Sequence, residues 1–189
     1  EISINTYKPF ACGIVIHPTL DACIQLRNEN KLTADQIERV DLRVHPLVLE
    51  LTGKKTPQTG LEGKFSVYHS CAAAVIYGAA GEREYGDDIV RDKRVITLRD
   101  KVSAVAKDDI REDEVYVTMT LNDGRVLKKH VEHAIGSLER PLTEKELTAK
   151  FDDLVRDVLP AKQGDELREM CWKLETLKDA AEIARKAAA

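Results

Sequence analysis

Apolar and polar residues alternate with a period of two in two stretches of the chain, and this pattern predicts β-strands that are buried on one face. The first stretch covers residues 37–45 and ends at a proline. The second covers residues 115–121 and is followed by the turn sequence Asn-Asp-Gly and by a second apolar run over residues 126–131. These features predict one strand and a separate β-hairpin.

Other stretches have apolar residues at helical spacing. His17 and Pro18 open a predicted helix that continues to about Arg27, because proline fits the first turn of a helix. Further helices are predicted over residues 65–80, which are rich in alanine, and in one or two pieces over residues 87–101. Residues 1–13 are predicted as a strand or loop, and the polar residues 52–63 as a loop.

Two pairs of residues have the spacing of a capping box, in which a Ser or Thr and a Glu or Gln three residues later bond each other's backbone. Thr33 with Gln36 predicts a short helical turn, and Thr143 with Glu146 predicts the start of a helix. From residue 143 to the end the chain is predicted to be helical, with one break near Pro160 and Gly164.

The composition therefore changes after residue 136. We predict an α+β fold with a small sheet, a hairpin and flanking helices over residues 1–136, followed by an all-α segment over residues 137–189. The first part is interpreted as a small domain, and the second as a segment built to pack against other helices.

Composition excludes several classes of protein. The chain has 189 residues, and 29 Lys and Arg against 33 Asp and Glu give a net charge of −4, which argues against a nucleic-acid binder driven by bulk charge. No apolar run approaches the roughly 18 residues that a membrane span needs. The four cysteines show no disulfide or zinc spacing, so we expect reduced thiols and a cytoplasmic protein. Because the chain starts without Met, it is expected to be a fragment.

Motif searches are negative for the common nucleotide and hydrolase sites. The sequence contains no phosphate loop of the GxxxxGK[ST] type, no GxGxxG, no GxSxG and no HExxH. His130 and His133 would lie on opposite faces of a strand and therefore cannot share a metal ion. Both of these histidines, and His45, are interpreted as structural. No metal site is predicted.

One loop has residues suited to binding an anion. Lys8 and His17 lie on either side of a loop with Cys12 and Gly13 that leads into a helix N-terminus, where backbone N–H groups and positive charge can meet an anion. The alternative is a surface lysine and a histidine that only begins the helix. His69, near the start of the alanine-rich helix, either faces a pocket or is a buried structural histidine, and the second reading is favoured by the sequence alone.

Taken together, several segments resemble the C-terminal part of the MmgE/PrpD family. Their order and spacing agree over nearly the whole chain and are weakest after Ala161. The segments that carry the resemblance are Lys8–Pro18, Gly63–His69 with the alanine-rich helix, Leu121–Arg125, His130–Gly136, Pro141–Thr143 and Lys150–Phe151.

This resemblance implies a function. The family includes 2-methylcitrate dehydratase, cis-aconitate decarboxylase and iminodisuccinate epimerase, with an active site between a large helical domain and a smaller, lid-like α+β domain. The present chain would be the smaller domain plus a segment that returns to the large one. Its partners would be a small polycarboxylate substrate, the N-terminal helical half of the same enzyme and a second copy in a homodimer. No cofactor, nucleic acid or membrane is implied.

The resemblance also assigns roles to residues. Lys8 matches an active-site lysine and would supply positive charge, while His69 or Tyr68 would carry the proton, so these three are the predicted catalytic residues. Predicted substrate-binding residues are Cys12, Gly13, His17 and Lys64. Gly13 stands where the decarboxylases carry a histidine, which argues against decarboxylation.

The interpretation that the sequence favours is that this chain is part of a lyase resembling 2-methylcitrate dehydratase. Such an enzyme abstracts a proton next to a carboxylate. An isomerase resembling iminodisuccinate epimerase is the alternative, because it needs the same first step. A non-catalytic fragment is a further alternative, acting through its apolar C-terminal helix face or as an anion-binding module.

Overall fold

A four-stranded mixed sheet is the centre of the fold. The computed structural model of the chain describes residues 4–188. The strands lie in the order β2-β1-β3-β4, with β1 parallel to β2 and antiparallel to β3, and with β3 antiparallel to β4. Their bounds are Ile37–Val44 for β1, Val102–Ala106 for β2, Val115–Leu121 for β3 and Val126–Val131 for β4. An α+β fold is therefore confirmed.

Nine α-helices accompany the sheet in the part of the chain that the structure describes. In the first part of the chain they are α1 His17–Asn30, α2 Pro46–Thr52, α3 Gly60–Gly63, α4 Val67–Tyr77, α5 Asp87–Val90 and α6 Lys93–Arg99. In the last part they are α7 Glu144–Val155, α8 Ala161–Trp172 and α9 Ala181–Lys186.

The core forms where α1 and α4 meet beside the sheet. The alanines at 72, 73 and 74 in α4 are fully buried, and their small side chains allow a close approach of neighbouring elements. The Sγ atoms of Cys23 on α1 and Cys71 on α4 lie 3.4 Å apart, with both thiols free. β3 contributes its alternate residues to the same core, because successive side chains in a strand point to opposite faces.

Most predicted elements agree with the structure. The strand at 37–45, the hairpin, both capping boxes and the helices at 17, 67 and 87–99 are confirmed. Residues 5–13 are irregular, which agrees with a loop, and residues 1–3 of that prediction lie outside the described residues.

The structure corrects several details. The predicted loop over residues 52–63 contains the short helix α3, which Thr59 caps by accepting a hydrogen bond from the Glu62 amide. β2 was not predicted, because its five residues lack a clear alternation and only the parallel pairing with β1 defines it. Pro46 ends β1 as expected but also begins α2, with His45 Nδ1 accepting a hydrogen bond from the Leu47 amide at 3.2 Å. The C-terminal segment has a second interruption over residues 173–180, and Gly164 lies inside α8.

The described residues divide into two compact units, one ending at Pro141 and the other starting at Leu142. The first contains the sheet and α1–α6, and the second contains α7–α9. Within residues 4–188, every helix is too short or too polar to cross a membrane.

Candidate active site

Lys8 and His17 line the same cavity, which has a volume of about 220 Å³. His17 begins α1, is almost fully buried and packs edge-on against the Phe10 ring at a centroid distance of 5.3 Å. The Lys8 ammonium donates to the Cys12 carbonyl at 3.2 Å, which bends the side chain back over its own loop. The remaining lining residues are Thr6, Ile14, Val15, Pro18, Glu112, Asp113 and Ala134 to Ser137.

The opposite wall of the cavity is a loop distant in sequence that α1 holds in place. Asp21 is buried on α1 and accepts hydrogen bonds from the Ile135 amide at 3.0 Å and from Arg140 Nη1 at 2.6 Å. Gly136 has a φ of +85°, and a Cβ built there would lie 2.6 Å from both the Tyr7 carbonyl oxygen and Pro9 Cδ. The wall is therefore in direct contact with the segment that carries Lys8.

Cys12 points away from solvent, into a small polar cluster below the loop. Its thiol donates to the Gly13 carbonyl at 3.7 Å, and the neighbouring Tyr85 hydroxyl shares a hydrogen bond of 2.9 Å with Ser70 Oγ. Burial raises the pKa of the Cys12 thiol to about 11, although Tyr85 and the charges of Lys8 and Lys64 act in the opposite direction. Cys12 is not among the residues that line the cavity.

We expect alkylation to distinguish these thiols. Iodoacetamide at pH 8 should label the folded chain with about one equivalent, at Cys171, because this thiol is exposed and Cys12, Cys23 and Cys71 are buried. Mass spectrometry of tryptic peptides measures the site, and a Cys171→Ser variant should remain unlabelled until it is unfolded. Rapid labelling of Cys12 would contradict its burial.

Gly13 and Lys64 form a second part of the predicted site. The Gly13 amide donates to the Lys64 carbonyl at 3.1 Å, and this bond joins the Lys8 loop to the segment before α4. A Cβ at Gly13 would lie 3.1 Å from Thr52 Cγ2, so a larger side chain there requires a small shift. The Lys64 ammonium pairs with Glu82 at 2.6 Å and does not line the cavity.

His69 is fully buried inside α4. Its Nε2 donates to the Glu84 carbonyl at 3.0 Å, and its Nδ1 has no hydrogen-bond partner among residues 4–188. Burial, with a smaller effect from the charge of Arg99, lowers the pKa of His69 below its usual 6.5. The imidazole is therefore neutral at neutral pH, and it lies outside the cavity that Lys8 lines.

Tyr68 adjoins His69 in sequence and is buried as well, with 6% of its surface exposed. The Lys55 ammonium lies 5.8 Å from the centroid of its ring. Burial raises the pKa of the Tyr68 phenol, so the hydroxyl keeps its proton and can donate it. Like His69, Tyr68 does not line the cavity at Lys8.

The buried neutral His69 predicts a loss of stability at mildly acidic pH. Its pKa is lower in the folded than in the unfolded chain, so its contribution is present above about pH 6.5 and is lost as the pH falls toward the folded pKa. The free energy of unfolding should therefore decrease between pH 6.5 and pH 5. Urea titrations at several pH values measure this slope.

A His69→Gln variant is the control, and it should show a flatter slope in that window whatever its absolute stability. The carboxyl groups with lowered pKa values, such as Glu62 and Asp92, start from 4.5 and 3.8 and affect stability only at lower pH. An unchanged slope in the variant would show that His69 does not cause the loss.

Of the two histidines predicted in the returning strand, the structure places only His130 on β4, because β4 ends at Val131 and His133 follows it in a bend. His130 stacks on Tyr116 with 4.1 Å between ring centroids and lies 2.7 Å from Glu114. His133 Nδ1 lies 2.7 Å from Asp113, and with Glu139 these residues form a group whose donor atoms all lie within 4.8 Å of one another. His133 is thus held by carboxylates.

The cavity contains residues that sequence reasoning missed. Asp113 and Ser137 line it beside Lys8 and His17, although more than 90 residues of sequence separate them from that loop. No local sequence pattern identifies either residue as part of a site. Both reach the cavity only because the folded chain brings the two ends of the hairpin to it. Of the predicted residues, the structure brings Lys8 and His17 into one cavity, and its lining does not include Cys12, Gly13, Lys64, Tyr68 or His69.

Comparison with known proteins shows the family to which the chain is similar. The model of the MmgE/PrpD C-terminal domain matches residues 10–176, a range that starts two residues after Lys8. The cis-aconitate decarboxylase of Mus musculus is 24% identical over 189 residues, which cover 95% of this chain and 38% of the mouse protein.

Two bacterial proteins similar to this chain are named 2-methylcitrate dehydratase, unlike the mouse protein. The 2-methylcitrate dehydratase of Escherichia coli O157:H7 is 27% identical over 127 residues, covering 61% of this chain and 26% of that protein. The 2-methylcitrate dehydratase of Salmonella typhimurium is 29% identical over 79 residues, covering 41% of this chain and 16% of that protein. The chain thus spans less than half the length of each of these relatives.

Proposed function

Since this chain belongs to the MmgE/PrpD family, whose C-terminal domain it matches over residues 10–176, we propose that it is part of a lyase acting on small polycarboxylates. The proposed reaction is abstraction of a proton next to a carboxylate followed by loss of hydroxide, as in a 2-methylcitrate dehydratase. The observation that carries the proposal is the cavity that Lys8 shares with His17.

The chemistry requires a positive charge beside the substrate. A proton next to a carboxylate is weakly acidic, because its removal places further negative charge on a group that is already an anion. The Lys8 ammonium can stabilise this charge as it develops. Its hydrogen bond to the Cys12 carbonyl holds it in place before the substrate arrives.

The proton relay is assigned to Tyr68 in preference to His69. His69 is fully buried and uses Nε2 to bond the Glu84 carbonyl, so a substrate has no path to it without a rearrangement of α4. Tyr68 is also buried, but its phenol is protonated and can donate its proton to the departing hydroxyl, which then leaves as water. The Lys55 ammonium near its ring would stabilise the resulting phenolate. The base that takes the substrate proton is assigned to the helical partner domain. In a comparison of kcat, Tyr68→Phe should therefore have the larger effect, and His69→Gln should act mainly on stability.

The position of Gly13 favours dehydration over decarboxylation. In the family the decarboxylases carry a histidine at this position, and glycine provides no proton donor. The space beside Gly13 is closed by Thr52, so a neighbouring side chain does not take over the position without movement.

Completion of the site is assigned to a helical partner domain from the same enzyme. Ile14, Leu51 and Phe65 are about half exposed, and each is adjacent in sequence to a residue of the Gly13, Thr52 and Lys64 contact. Exposed apolar side chains around an active-site loop are typical of a surface that another domain covers. The second unit likewise exposes Leu154 and Val158.

Proton exchange in D₂O tests the proposal. The chain alone, and the complete enzyme from which it comes, are incubated with 2-methylcitrate, citrate and an iminodisuccinate-type diacid, and NMR follows deuterium uptake and alkene formation. Alkene formed from 2-methylcitrate by the complete enzyme supports the dehydratase, whereas exchange without alkene would support an epimerase. Release of CO₂ from cis-aconitate at a comparable rate would overturn the dehydratase assignment.

A further inference from the structure

A second cavity, of about 460 Å³, lies in the first unit and shares no lining residue with the cavity at Lys8. Its wall is formed by the end of α1, the turn before β1, the end of α4 and one side of α6. The charged residues in this lining are Arg27, Asp35, Lys93, Arg94 and Lys101. Four of them are cationic and one is acidic, although the chain as a whole has a net charge of −4.

Three of these cations have no carboxylate to neutralise them. Among residues 4–188, no Asp or Glu oxygen is recorded within 4.0 Å of the charged nitrogens of Arg27, Lys93 or Lys101. Arg94 differs, because Asp92 binds it with a closest distance of 2.6 Å. The single acidic lining residue, Asp35, is exposed to solvent.

Backbone groups hold two of the cations in place. Arg27 Nε donates to the Val75 carbonyl at 2.9 Å, and the Lys101 ammonium donates to the Ile37 carbonyl at 2.6 Å. Gly78 leaves room for the arginine, since a Cβ there would lie 2.8 Å from Arg27 Nη1. These bonds orient the side chains and leave their charge available to a ligand.

The cavity also has an apolar part. Leu32 and Leu98 are buried and Ile76 is half-buried at its surface. Its volume falls within the roughly 300–1,000 Å³ typical of sites for small organic ligands, which combine an apolar lining with a few polar groups. A simple inorganic ion would leave this apolar surface uncovered.

We propose that this cavity binds an organic anion with two or more phosphate groups, whose organic part packs against Ile76. Lysine is a common point-charge ligand of phosphate, and arginine provides a planar set of donors for the same group. Because the cations come from two segments far apart in sequence, no phosphate-binding sequence motif marks the site. The proposal is independent of the reaction proposed above.

Calorimetry of ATP binding to the 189-residue chain tests this proposal. The titration is done at low salt without divalent metal. We expect ATP to bind more tightly than pyrophosphate, and adenosine to bind at least tenfold more weakly than ATP. Lys93→Glu should weaken ATP binding about tenfold or more, because it reverses one of the three available charges. Lys93 is exposed, so this variant should fold normally.

Lys128→Glu is the matched control, since Lys128 is exposed on β4 and lines neither cavity. It should change ATP affinity less than twofold. Amide shifts of Thr97 and Leu98 in NMR spectra should move on binding. An equal loss of affinity in both variants, no detectable ATP binding at millimolar concentration, or citrate binding as tightly as ATP would each overturn the proposal.

Discussion

Replacing Lys8 by alanine is expected to lower kcat for the polycarboxylate substrate in the complete enzyme by about a hundredfold or more. Loss of a positioned group that stabilises developing negative charge has an effect of this size in other enzymes. KM should rise less than kcat falls, because the charge that Lys8 opposes increases in the transition state. Steady-state kinetics on the purified variant measure both constants.

Two further variants test whether the loss of activity comes from the charge of Lys8 itself. Lys8→Arg keeps the charge but changes its geometry, and it should recover part of the lost activity. Lys128→Ala removes a surface lysine from β4, away from the cavity, and should leave kcat within about twofold. Turnover close to that of the unmodified enzyme in Lys8→Ala would exclude the proposed role of Lys8.

Replacing Gly136 by alanine is expected to destabilise the first unit by about 2–4 kcal/mol and to reduce activity as well. Two effects add. Alanine is strained at a φ of +85°, and its Cβ would lie 2.6 Å from the Tyr7 carbonyl oxygen and Pro9 Cδ. The segment on either side of Lys8 must therefore move, which changes the position of its ammonium. Urea unfolding measures the first effect and kcat the second.

Gly124 provides a matched control in the same chain. Its φ is +86°, nearly that of Gly136, but a Cβ there would meet nothing within 4 Å. Gly124→Ala should therefore show the backbone strain alone, about 1 kcal/mol, with unchanged kcat. Equal effects of the two variants would show that the contact with Tyr7 and Pro9 does not stabilise the cavity.

Local elements were predictable because they depend on neighbouring residues. The alternation in β1 and β3, the turn at residues 122–124 and the hydrogen bonds of Thr33 and Thr143 all act over a few positions. By contrast, β2 has little pattern of its own. Its pairing partner β1 lies some 60 residues earlier, and this distant strand determines its conformation.

The candidate site was predictable only in part. Lys8 and His17 are nine residues apart, on one loop and the helix it enters, so their proximity followed from local structure. Tyr68 and His69 are adjacent in sequence and both are buried, yet the Tyr68 ring lies near the Lys55 ammonium, whereas His69 bonds the Glu84 carbonyl through Nε2. Their accessibility depends on which face of α4 is covered.

The sequence by itself determined the α+β class, the order of most helices and strands, and the resemblance to a family, because these depend on periodicity, capping and short motifs. The tertiary structure decided which of those residues share a cavity. Asp21 bonds the amide of Ile135 across 114 residues, and this contact builds the wall opposite Lys8. The second cavity, for which we propose a phosphate ligand, likewise combines Arg27 with Lys93 and Lys101. Only the packing of the chain brings Arg27 near these two lysines.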